Sequence, residues 1–401
     1  MHPRRPAFTL IELLIVIAII AVLSVVVLLA LNPVELLKQA RDSTRLSDMD
    51  TLTKALSLTQ LDNLSLGTAN TVYVSLPDPA ATSTLGTNCG TMGLPALPTS
   101  YTYHCAASST LRKNDGTGWL PVNLTQLSAG TPLTSLPIDS VNTSSSRLYY
   151  AYATNGNQYE VTTPLESQNY KLGGGKDVIA GDGGTKVSLY ERGTNLSLEP
   201  LDYGDSSLVG LWTFDEGSSS VAYDYSGNNA TGSWSGTGTH YAGGRVGTWA
   251  GQFNGSDDYV HSATSLSAAT QETVTAWFET PSSGNRLELV NLKWGNNAGL
   301  FVESNQYLTF MADPGNTFSG TVVVSTSSWH FGAAVISGNT VTVYLDNISR
   351  TGSITGSITT GSPVIGSRGG SYPFSGLIDD VRIYNRALSA AEVAALYNGG
   401  K

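Results

Sequence analysis

One carboxylate lies inside the most apolar stretch of this sequence. Residues 8–31 read FTLIELLIVIAIIAVLSVVVLLAL, and Glu12 is the only charged residue among them. As a helix, this run is long enough to cross a hydrocarbon core of about 30 Å. An unpaired carboxylate in lipid costs at least about 2.5 kcal/mol, so Glu12 requires a positively charged partner. Cleavage between Ala7 and Phe8 would supply one, because it would leave an α-amino group on Phe8 of the same chain or of a neighbour.

The basic leader MHPRRPA followed by FTLIELLIVIAIIAVL resembles the N-terminal signal of type IV pilins and type II secretion pseudopilins. The resemblance implies that a prepilin peptidase cuts between Ala7 and Phe8 and methylates the new amino group. It also implies that Glu12, the fifth residue of the mature chain, acts in subunit assembly. The family usually has Gly before the cut, where this chain has Ala7. The alternative is an uncleaved signal anchor in which Glu12 lies near the lipid headgroups.

The carboxylates elsewhere in the chain do not form the pattern that glycan cleavage requires. Enzymes that hydrolyse glycosidic bonds need two carboxylates close together on one face. Glu279, Glu288 and Glu303 are isolated from one another in the sequence. The aspartates at 257–258 and 379–380 are adjacent, and adjacent strand residues point to opposite faces. The sequence also contains no serine-hydrolase, zinc-protease or phosphate-loop motif in a suitable context, so we expect no enzyme activity.

The two cysteines of the chain, Cys89 and Cys105, are predicted to form a disulfide. In an exported protein such a bond persists, and closing this loop would stabilise the fold by about 3 kcal/mol in the chain-entropy model. Two free thiols are the alternative. His104 lies beside Cys105, but the other histidines are dispersed and no CxxC occurs, so the sequence does not predict a zinc site.

Composition limits the class of protein. The chain has 401 residues, of which 40% are hydrophobic and 13% charged, and it contains 43 Gly. The length predicts two or three domains, and the composition is typical of a secreted, β-rich protein. The net charge is −10, from 21 basic and 31 acidic residues, and the basic residues are scattered or lie near the membrane. Nucleic acid is therefore not an expected partner, because binding it requires a basic patch.

The elements that must position Glu12 begin with one long helix over residues 8–66. Pro33 is expected to bend or open it locally, because proline removes a backbone donor. Beyond Pro33, apolar residues recur at helical spacing with the charges on the other faces, at Leu46, Met49, Leu52 and Leu56. By resemblance to pilins, the first half of this helix lies in a membrane or a filament core, and the second half carries a globular head.

Residues 67–192 are predicted to form that head as an α+β fold. Short strand-like runs occur at 71–76, 148–153 and 158–162, and Asn155-Gly156 is typical of a hairpin turn. Pieces such as LYYAYATNGNQYEV and GGGKDVIAGDGGT resemble the head of major pseudopilins.

In some of those relatives an Asp- and Gly-rich loop binds calcium, which implies Asp177 and Asp182 as candidate ligands here. A solvated turn without metal is the alternative. The polar, turn-rich residues 193–207 that follow are predicted to be a linker.

Residues 208–401 resemble a laminin-G-like, concanavalin A-type jelly roll. The motifs that carry this resemblance include LVGLWTFDEGSSSVAYDYSGNNATG and FSGLIDDVRIYNRALSAAEVAALYNGG. The residues agree with it, because apolar and polar side chains alternate over 340–345 as in a half-buried strand. Ser389 and Glu392 predict a capping box, and Gly399 stands where the last helix should stop. The expected fold is an α+β pilin-like head on a long N-terminal helix, followed by an all-β jelly-roll sandwich.

A structural calcium ion is predicted in the jelly roll. Alternation in LIDDVRIY places Leu377, Asp379, Val381 and Ile383 on one face, which the three apolar side chains mark as the core side. A carboxylate there needs a compensating partner. The loop DYSGNN offers the oxygen atoms that calcium prefers, from Asp224 and from Asn228 or Asn229. Relatives of this fold often hold calcium between an early loop and an Asp of the last strand. The alternative is that Asp379 accepts hydrogen bonds from backbone amides or hydroxyls.

Three tryptophans are candidates for ligand binding. Trp234, Trp249 and Trp294 lie in glycine-rich loops with polar neighbours, where an aromatic face could stack on a sugar ring. The alternative for each is packing within its loop. Because the fold is widely used for recognition, we expect the jelly roll to bind a glycan or a surface protein, by analogy of fold.

Together these features predict a membrane-inserted prepilin that becomes a subunit of a type IV-like filament at the cell surface. Its expected partners are the prepilin peptidase, other pilin subunits and the assembly machinery. A minor or tip subunit is favoured, because so bulky a domain would crowd every position of a filament. The alternatives are a pseudopilin of a secretion or DNA-uptake machine, and a membrane-anchored binding protein or glycan-active enzyme that does not polymerise.

Overall fold

The computed structural model describes residues 9–82, 86–98, 100–266, 269–281, 284–356, 358 and 361–400. Within the first helix the side chains of residues 25–31 are outside this description.

The N-terminal segment forms two helices rather than one. Helix α1 spans Leu10–Leu31 and helix α2 spans Pro33–Leu61. Between them Asn32 adopts a left-handed conformation with φ of 39°, and its side chain accepts a hydrogen bond from the backbone amide of Glu35. Pro33 occupies the first turn of α2, where its missing N–H costs nothing. The bend that the sequence predicts is therefore a break at Asn32.

The head is a five-stranded sheet covered on one face by α2. The strand order is β2-β1-β3-β4-β5, and all neighbours are antiparallel except β1 and β2. The strands and one short 3-10 helix are β1 Thr71–Pro77, β2 Thr102–Ala106, the 3-10 helix Leu124–Gln126, β3 Ala151–Thr154, β4 Tyr159–Pro164 and β5 Leu189–Gly193. The predicted disulfide between Cys89 and Cys105 is present, with an S–S distance of 2.04 Å.

Helix α2 packs on the sheet through the apolar face that its spacing predicts. Its buried side chains Met49, Leu52 and Leu56 are fully covered. Their partners are mostly aromatic and include Trp119, Tyr150, Tyr152 and Tyr159. Burying large aromatic surfaces against a helix is the main favourable term available to a head of this size.

A buried arginine also ties α2 to the head. Arg45 is 1% exposed, and its guanidinium forms ion pairs with Asp42 and Glu166 at 2.7 Å and a further pair with Asp139. Asp42 in turn accepts hydrogen bonds from the backbone amides of Glu166 and Ser167. A guanidinium can satisfy several carboxylates at once because its donors form a rigid fork.

The segment predicted as a linker, residues 193–207, packs into the head. Leu201 and Tyr203 are 0% and 1% exposed and belong to the apolar cluster on the second face of the sheet. Asp202 is buried as well and accepts hydrogen bonds from the backbone amides of Val187 and Ser188. The structure thus fixes this segment instead of leaving it solvated.

The jelly roll consists of two antiparallel eight-stranded sheets packed face to face. One sheet has the order β19-β18-β17-β12-β21-β10-β9, with β6 also paired to β21, and the other has the order β16-β15-β14-β13-β20-β11-β8-β7. Its elements are β6 Leu208–Trp212, β7 Val221–Ala222, β8 Gly232–Ser235, β9 Tyr241–Gly243, β10 Trp249–Asn254, β11 Tyr259–Ser262, β12 Gln271–Glu279, β13 Leu287–Asn291, β14 Gly299–Val302, β15 Tyr307–Ala312, β16 Asn316–Val323, β17 His330–Ser337, β18 Thr340–Leu345, β19 Ile348–Ser353, β20 Val364–Ile365, β21 Ser375–Tyr384 and helix α3 Ala390–Gly399.

The predicted local patterns of this domain are confirmed. In β18 the side chains of Val341, Val343 and Leu345 are buried in the core between the sheets. Helix α3 begins with the capping box of Ser389 and Glu392.

Strand β21 contains a bulge at Asp379 and Asp380. Its pairing with β12 shifts register there, and Asp380 has a φ of 45°. The prediction that Leu377, Asp379, Val381 and Ile383 share the core face is therefore wrong, since the core side chains of this strand are Ile378, Val381 and Ile383. The extra residue directs the carboxylate of Asp379 toward a loop. There it accepts hydrogen bonds from the backbone amides of Arg245 and Val246 at 2.7 and 2.9 Å.

Glu272 in β12 is a buried carboxyl group with a predictable effect on stability. It is 2% exposed, its Oε2 has no hydrogen-bond partner among the described residues, and burial raises its pKa from 4.5 to about 8. Between these pH values the unfolded chain has lost a proton that the native chain keeps, so native stability should fall as pH rises. The expected loss is on the order of 1.4 kcal/mol per pH unit.

We expect Glu272→Gln to remove this pH dependence, because glutamine does not titrate. In urea denaturation the variant should gain stability over the parent progressively between about pH 5 and about pH 8. Glu279→Gln is the matched control, because Glu279 lies on the same strand and is partly exposed. A constant difference between parent and Glu272→Gln at all pH values would contradict the expectation.

The jelly roll packs directly against the head. Leu172 and Val187 of the head contact an apolar cluster on the outer face of the first sheet, which includes Trp277 and Phe331 and is partly covered by α3. Gly173 approaches the backbone of α3 so closely that a Cβ atom there would lie 2.7 Å from the carbonyl carbon of Ala391.

Ion pairs join the same two units. Arg382 of β21 pairs with Asp202 at 3.2 Å, and Arg386 pairs with Asp205 at 2.8 Å. Arg382 is 3% exposed and also pairs with Asp380 at 2.8 Å. The contact between head and jelly roll therefore combines apolar packing with buried charge pairs.

Candidate functional site

The carboxylate of Glu12 lies at the first turn of α1. Thr9 is the N-cap, and its hydroxyl accepts a hydrogen bond from the amide of Glu12 at 3.3 Å. In return Glu12 Oε2 accepts hydrogen bonds from the backbone amide and the hydroxyl of Thr9 at 2.8 and 2.7 Å. This capping box holds the carboxylate next to the residue that follows Phe8. The predicted cleavage residues Ala7 and Phe8 themselves lie outside the described residues.

Over residues 10–24, helix α1 exposes apolar side chains on all its faces. Leu10 is 81% exposed, Ile11 67% and Val22 65%. A helix that is apolar all round is buried in lipid or in other protein. Where side chains are described, which in α1 ends at Ser24, no helix is both long and apolar enough to cross a membrane. The membrane span over residues 8–31 stays a prediction.

The three candidate tryptophans differ in how far they are buried, and Trp234 is the most buried of them. Trp234 is 9% exposed, stacks on His240 with ring centroids 4.4 Å apart, and packs on Phe214 and Phe253. Its Nε1 donates a hydrogen bond to the hydroxyl of Tyr241. Because its ring is part of the core, Trp234 offers no face for a sugar, which corrects the expectation for this residue.

The other two tryptophans remain accessible, at different places. Trp294 is 40% exposed and packs beside Tyr259 and His261, with centroid distances of 5.4 and 4.5 Å. Trp249 is 38% exposed and lines a cleft of about 670 Å³ between the head and the jelly roll.

This cleft has walls from both units. The head contributes Tyr101, Glu199 and Asp202, and the jelly roll contributes Asp215, Glu216, Tyr223, Tyr225, Trp249, Asp380 and Arg382, among others. Its volume lies in the range of pockets that hold small organic ligands. Aromatic rings beside a few polar groups are the usual lining of such sites.

Asp215 fixes the position of Trp249. Its Oδ1 accepts hydrogen bonds from the backbone amides of Thr248 and Trp249 at 2.6 and 2.9 Å. The indole lies against Gly217, where a Cβ atom would be only 2.7 Å from Trp249 Nε1, and Gly217 has a φ of 67°. Trp249 is thus held by its backbone and by a glycine that permits close approach. A preformed aromatic surface loses little entropy when it binds a ligand.

The carboxyl groups of Glu199 and Glu216 in the cleft are shifted toward the protonated form. Burial, reinforced by the nearby charge of Glu160, raises the pKa of Glu199 to about 8. Burial also raises the pKa of Glu216, whose Oε1 accepts a hydrogen bond from the backbone amide of Tyr223 at 2.8 Å. A protonated carboxyl can both donate and accept hydrogen bonds, as a sugar hydroxyl does.

The sequence did not predict this cleft. The motif WTFDEG contains both Asp215 and Glu216, but only the fold shows that they face Tyr101 and Glu199 of the head. Glu199 lay in the presumed linker, and no local pattern connects it to the jelly roll.

The predicted calcium ligands are engaged by backbone amides. Asp224 accepts from the amides of Leu211, Ser226 and Ala230 at 3.0, 2.9 and 2.8 Å. Asp379 has the two amide donors described above, while its Oδ1 has no partner among the described residues. The backbone carbonyl of Asn229 accepts a hydrogen bond from the hydroxyl of Thr264. These hydrogen bonds of Asp224 and Asp379 involve neither Asn229 nor Thr264.

In the Asp- and Gly-rich loop of the head, the two candidate calcium ligands also accept hydrogen bonds from backbone N–H groups. Asp177 accepts from the amides of Gly173, Ile179 and Ala180, and Asp182 from the amides of Gly184 and Glu191. Across the described parts of the chain, no group of three or more His, Cys, Asp or Glu side chains could hold a metal ion. Donor N–H groups present partial positive charge to these oxygens, as a cation would, so backbone amides already occupy positions that a calcium ion would need.

Calcium binding stays a prediction that thermal melting can check. If Asp224, Asn229 and Asp379 hold the ion, the full chain should melt higher in calcium than in chelator, by mass action. Asp379→Ala should abolish that difference, whereas Asp177→Ala should leave it unchanged. Equal melting temperatures of the parent in both buffers would contradict the calcium site.

Two family models match parts of the chain. The model of the prokaryotic N-terminal methylation motif matches residues 3–28. The model of the concanavalin A-like lectin/glucanases superfamily matches residues 254–394. The chain carries a type IV pilin methylation motif and a laminin G-like, concanavalin A-like domain. The methylation motif contains Glu12, and the concanavalin A-like match contains the bulged strand β21.

Solved structures similar to this chain align with about half of it. Domain 4 of AbnA, a GH43 extracellular arabinanase from Geobacillus stearothermophilus in complex with arabinotriose, is 24% identical over 47% of this chain and 98% of its own, with a TM-score of 0.40. The binding domain of Paraclostridial Mosquitocidal Protein 1 is 18% identical over 48% of this chain and 52% of its own, with a TM-score of 0.38. Trypanosoma rangeli sialidase in complex with the inhibitor DANA is 14% identical over 48% of this chain and 33% of its own, with a TM-score of 0.36. No curated protein matches the chain.

Proposed function

We propose that this protein is a minor or tip subunit of a type IV-like filament and presents its concanavalin A-like domain for glycan binding at the cell surface. The observation that carries the proposal is α1, which exposes apolar side chains on every face and has one carboxylate at its first turn. The methylation motif covers the same residues. In this proposal α1 is anchored in the cytoplasmic membrane before assembly and packs among the helices of neighbouring subunits afterwards.

The contribution of the concanavalin A-like domain is binding rather than catalysis. Two of the carboxyl groups that line the cleft have positioning roles, since Asp215 holds the loop of Trp249 and Asp380 pairs with Arg382. A rigid, half-exposed tryptophan beside polar groups is suited to recognising a sugar. An exposed aromatic platform does not by itself provide the acid and nucleophile that hydrolysis needs.

Immunogold electron microscopy of sheared surface filaments tests the assembly role. Label at filament ends or at sparse positions supports a tip or minor subunit, and dense label along filaments would make this the major subunit. Label confined to the cell envelope would contradict filament assembly and favour a secretion pseudopilin or a membrane-anchored binding protein.

We expect the assembled protein to begin with N-methylated Phe8. A prepilin peptidase that removes residues 1–7 exposes this amino group, and the methylation motif spans the cleavage point. Mass spectrometry of the N-terminal peptide from purified filaments measures both events at once. Chains that retain Met1 in filaments would contradict the proposed processing.

A further inference from the structure

A cleft lies between the head and the concanavalin A-like domain. Its volume is about 670 Å³, and its lining combines Tyr101, Tyr223, Tyr225 and Trp249 with several carboxyl groups. We propose that this cleft is a composite binding site for a short, uncharged oligosaccharide, formed jointly by Trp249 of the jelly roll and Glu199 of the head. The inference rests on the proposed glycan-binding function and assigns it a site and a ligand class.

Glu199 supplies an unused hydrogen-bonding group in the cleft wall. The residue is 3% exposed, and its Oε2 has no hydrogen-bond partner among the described residues. A buried polar atom without a partner is costly, and such atoms in native structures usually have a role. A hydroxyl group of a bound sugar would satisfy this oxygen.

Trp249 supplies the opposite kind of contact. The residue is 38% exposed, and its position is fixed by Asp215 and Gly217. The apolar C–H face of a sugar ring can stack on such a ring while its hydroxyl groups reach polar atoms at the edge of the cleft. Together the tryptophan and the carboxyl group match the two sides of a carbohydrate.

The charges of the lining favour an uncharged ligand. Lys186 lines the cleft but pairs with Glu160 and Glu191 at 2.8 and 2.7 Å. The other lining cation, Arg382, is paired with Asp202 and Asp380. Both cations are therefore matched within the fold, and an acidic sugar would meet additional carboxyl groups without a free positive partner. Desolvating such a like-charge contact is unfavourable.

Trp294 provides a matched control for Trp249. The two rings are 40% and 38% exposed, respectively, both belong to the jelly roll, and Trp294 is not among the residues that line the cleft. If the site is the cleft, only the Trp249 substitution should weaken binding. If the glycan binds the aromatic cluster of Trp294, Tyr259 and His261, the reverse should hold.

A substitution at Glu199 can separate a binding role from a structural one. The Glu199 carboxyl accepts one long hydrogen bond, from the backbone amide of Leu201 to Oε1 at 3.4 Å, while its Oε2 has no partner among the described residues. Replacing such a weakly partnered buried carboxyl group with an apolar side chain of similar length costs a fold little. We therefore expect Glu199→Met to keep or raise the melting temperature of the full chain. The same change should lower the affinity for the glycan by at least tenfold, which corresponds to about 1.4 kcal/mol of binding free energy.

The test is isothermal titration of the full chain, solubilised in a zwitterionic detergent without a sugar headgroup, with neutral and acidic tetrasaccharides. The probes are cellotetraose, xylotetraose, mannotetraose and the acidic tetragalacturonate. We expect at least one neutral probe to bind, tetragalacturonate not to bind, and affinity to fall at least tenfold in Trp249→Ala and Glu199→Met but not in Trp294→Ala.

Each other outcome has a defined meaning. Loss of binding in Trp294→Ala alone would overturn the cleft and leave glycan binding by the jelly roll intact. Loss of glycan binding in Trp249→Ala together with full binding in Glu199→Met would show that Glu199 takes no part in binding. That outcome would overturn the joint site. Failure of every neutral probe, or equal binding of tetragalacturonate, would overturn the ligand class, whereas filament labelling would still decide the assembly role independently.

Discussion

Glu12→Ala is expected to leave the protein in the membrane and to remove it from filaments. The substitution removes the only charged side chain of α1, so membrane insertion should improve if it changes at all. Assembly should fail, because the carboxylate is the group that can neutralise the amino terminus of a neighbouring subunit. Immunoblots of membrane and sheared-filament fractions measure the two pools separately, and Glu12→Asp should show a milder defect than Glu12→Ala.

Thr9→Val separates capping from assembly at this position. In the structure Glu12 also completes a capping box with Thr9, and loss of a cap costs about 1 kcal/mol of helix stability. Thr9→Val removes the cap hydroxyl and keeps the carboxylate, so the variant should still enter filaments. Normal incorporation of Glu12→Ala, or equal defects in both variants, would rule out charge pairing as the reason for the carboxylate.

Arg45→Met should produce the largest loss of stability in the head. The change leaves Asp42 and Asp139 buried without their cation, and breaking such a network by removing one partner costs about 3–5 kcal/mol. Urea denaturation should show a lower midpoint, and the amides of α2 should exchange faster with deuterium. Arg41→Met is the matched control, because the Arg41 side chain is 33% exposed and should contribute less than about 1 kcal/mol.

A combined variant checks whether unpaired carboxylates cause the loss of stability in Arg45→Met. Adding Asp42→Asn and Asp139→Asn to Arg45→Met removes the unpaired charges that the single change exposes. The triple variant should recover much of the lost stability, since the cost comes from uncompensated carboxylates. If it is less stable than Arg45→Met, the arginine acts mainly through packing and hydrogen bonds.

The sequence predicted the elements whose patterns are local. The apolar face of α2, the alternation in β18 and the capping box of α3 each depend on residues close together in the chain, and the structure confirms them. The two resemblances also rest on contiguous motifs. The α+β head and the all-β sandwich followed from these patterns and resemblances.

The sequence-based predictions were wrong or incomplete where one extra residue changes a local pattern or where segments distant in the chain meet. The alternation rule failed at Asp379 because a bulge inserts one extra residue, which reverses the facing of every side chain before it. Trp234 lies in a glycine-rich stretch, yet the sheet carries it into the core. The cleft was missed because Glu199 and Trp249 are 50 residues apart in the sequence, and their meeting depends on how the two units pack.

The packing of residues 193–207 has a consequence for the direction in which the jelly roll points. A domain on a flexible tether samples many angles, whereas here Leu201 and Tyr203 are embedded in the head and Asp202 is paired with Arg382. Rotation of the jelly roll about this connection would require breaking those contacts. Its angle to α2 is therefore set by the subunit, so identical subunits would all present Trp249 in the same orientation relative to α2.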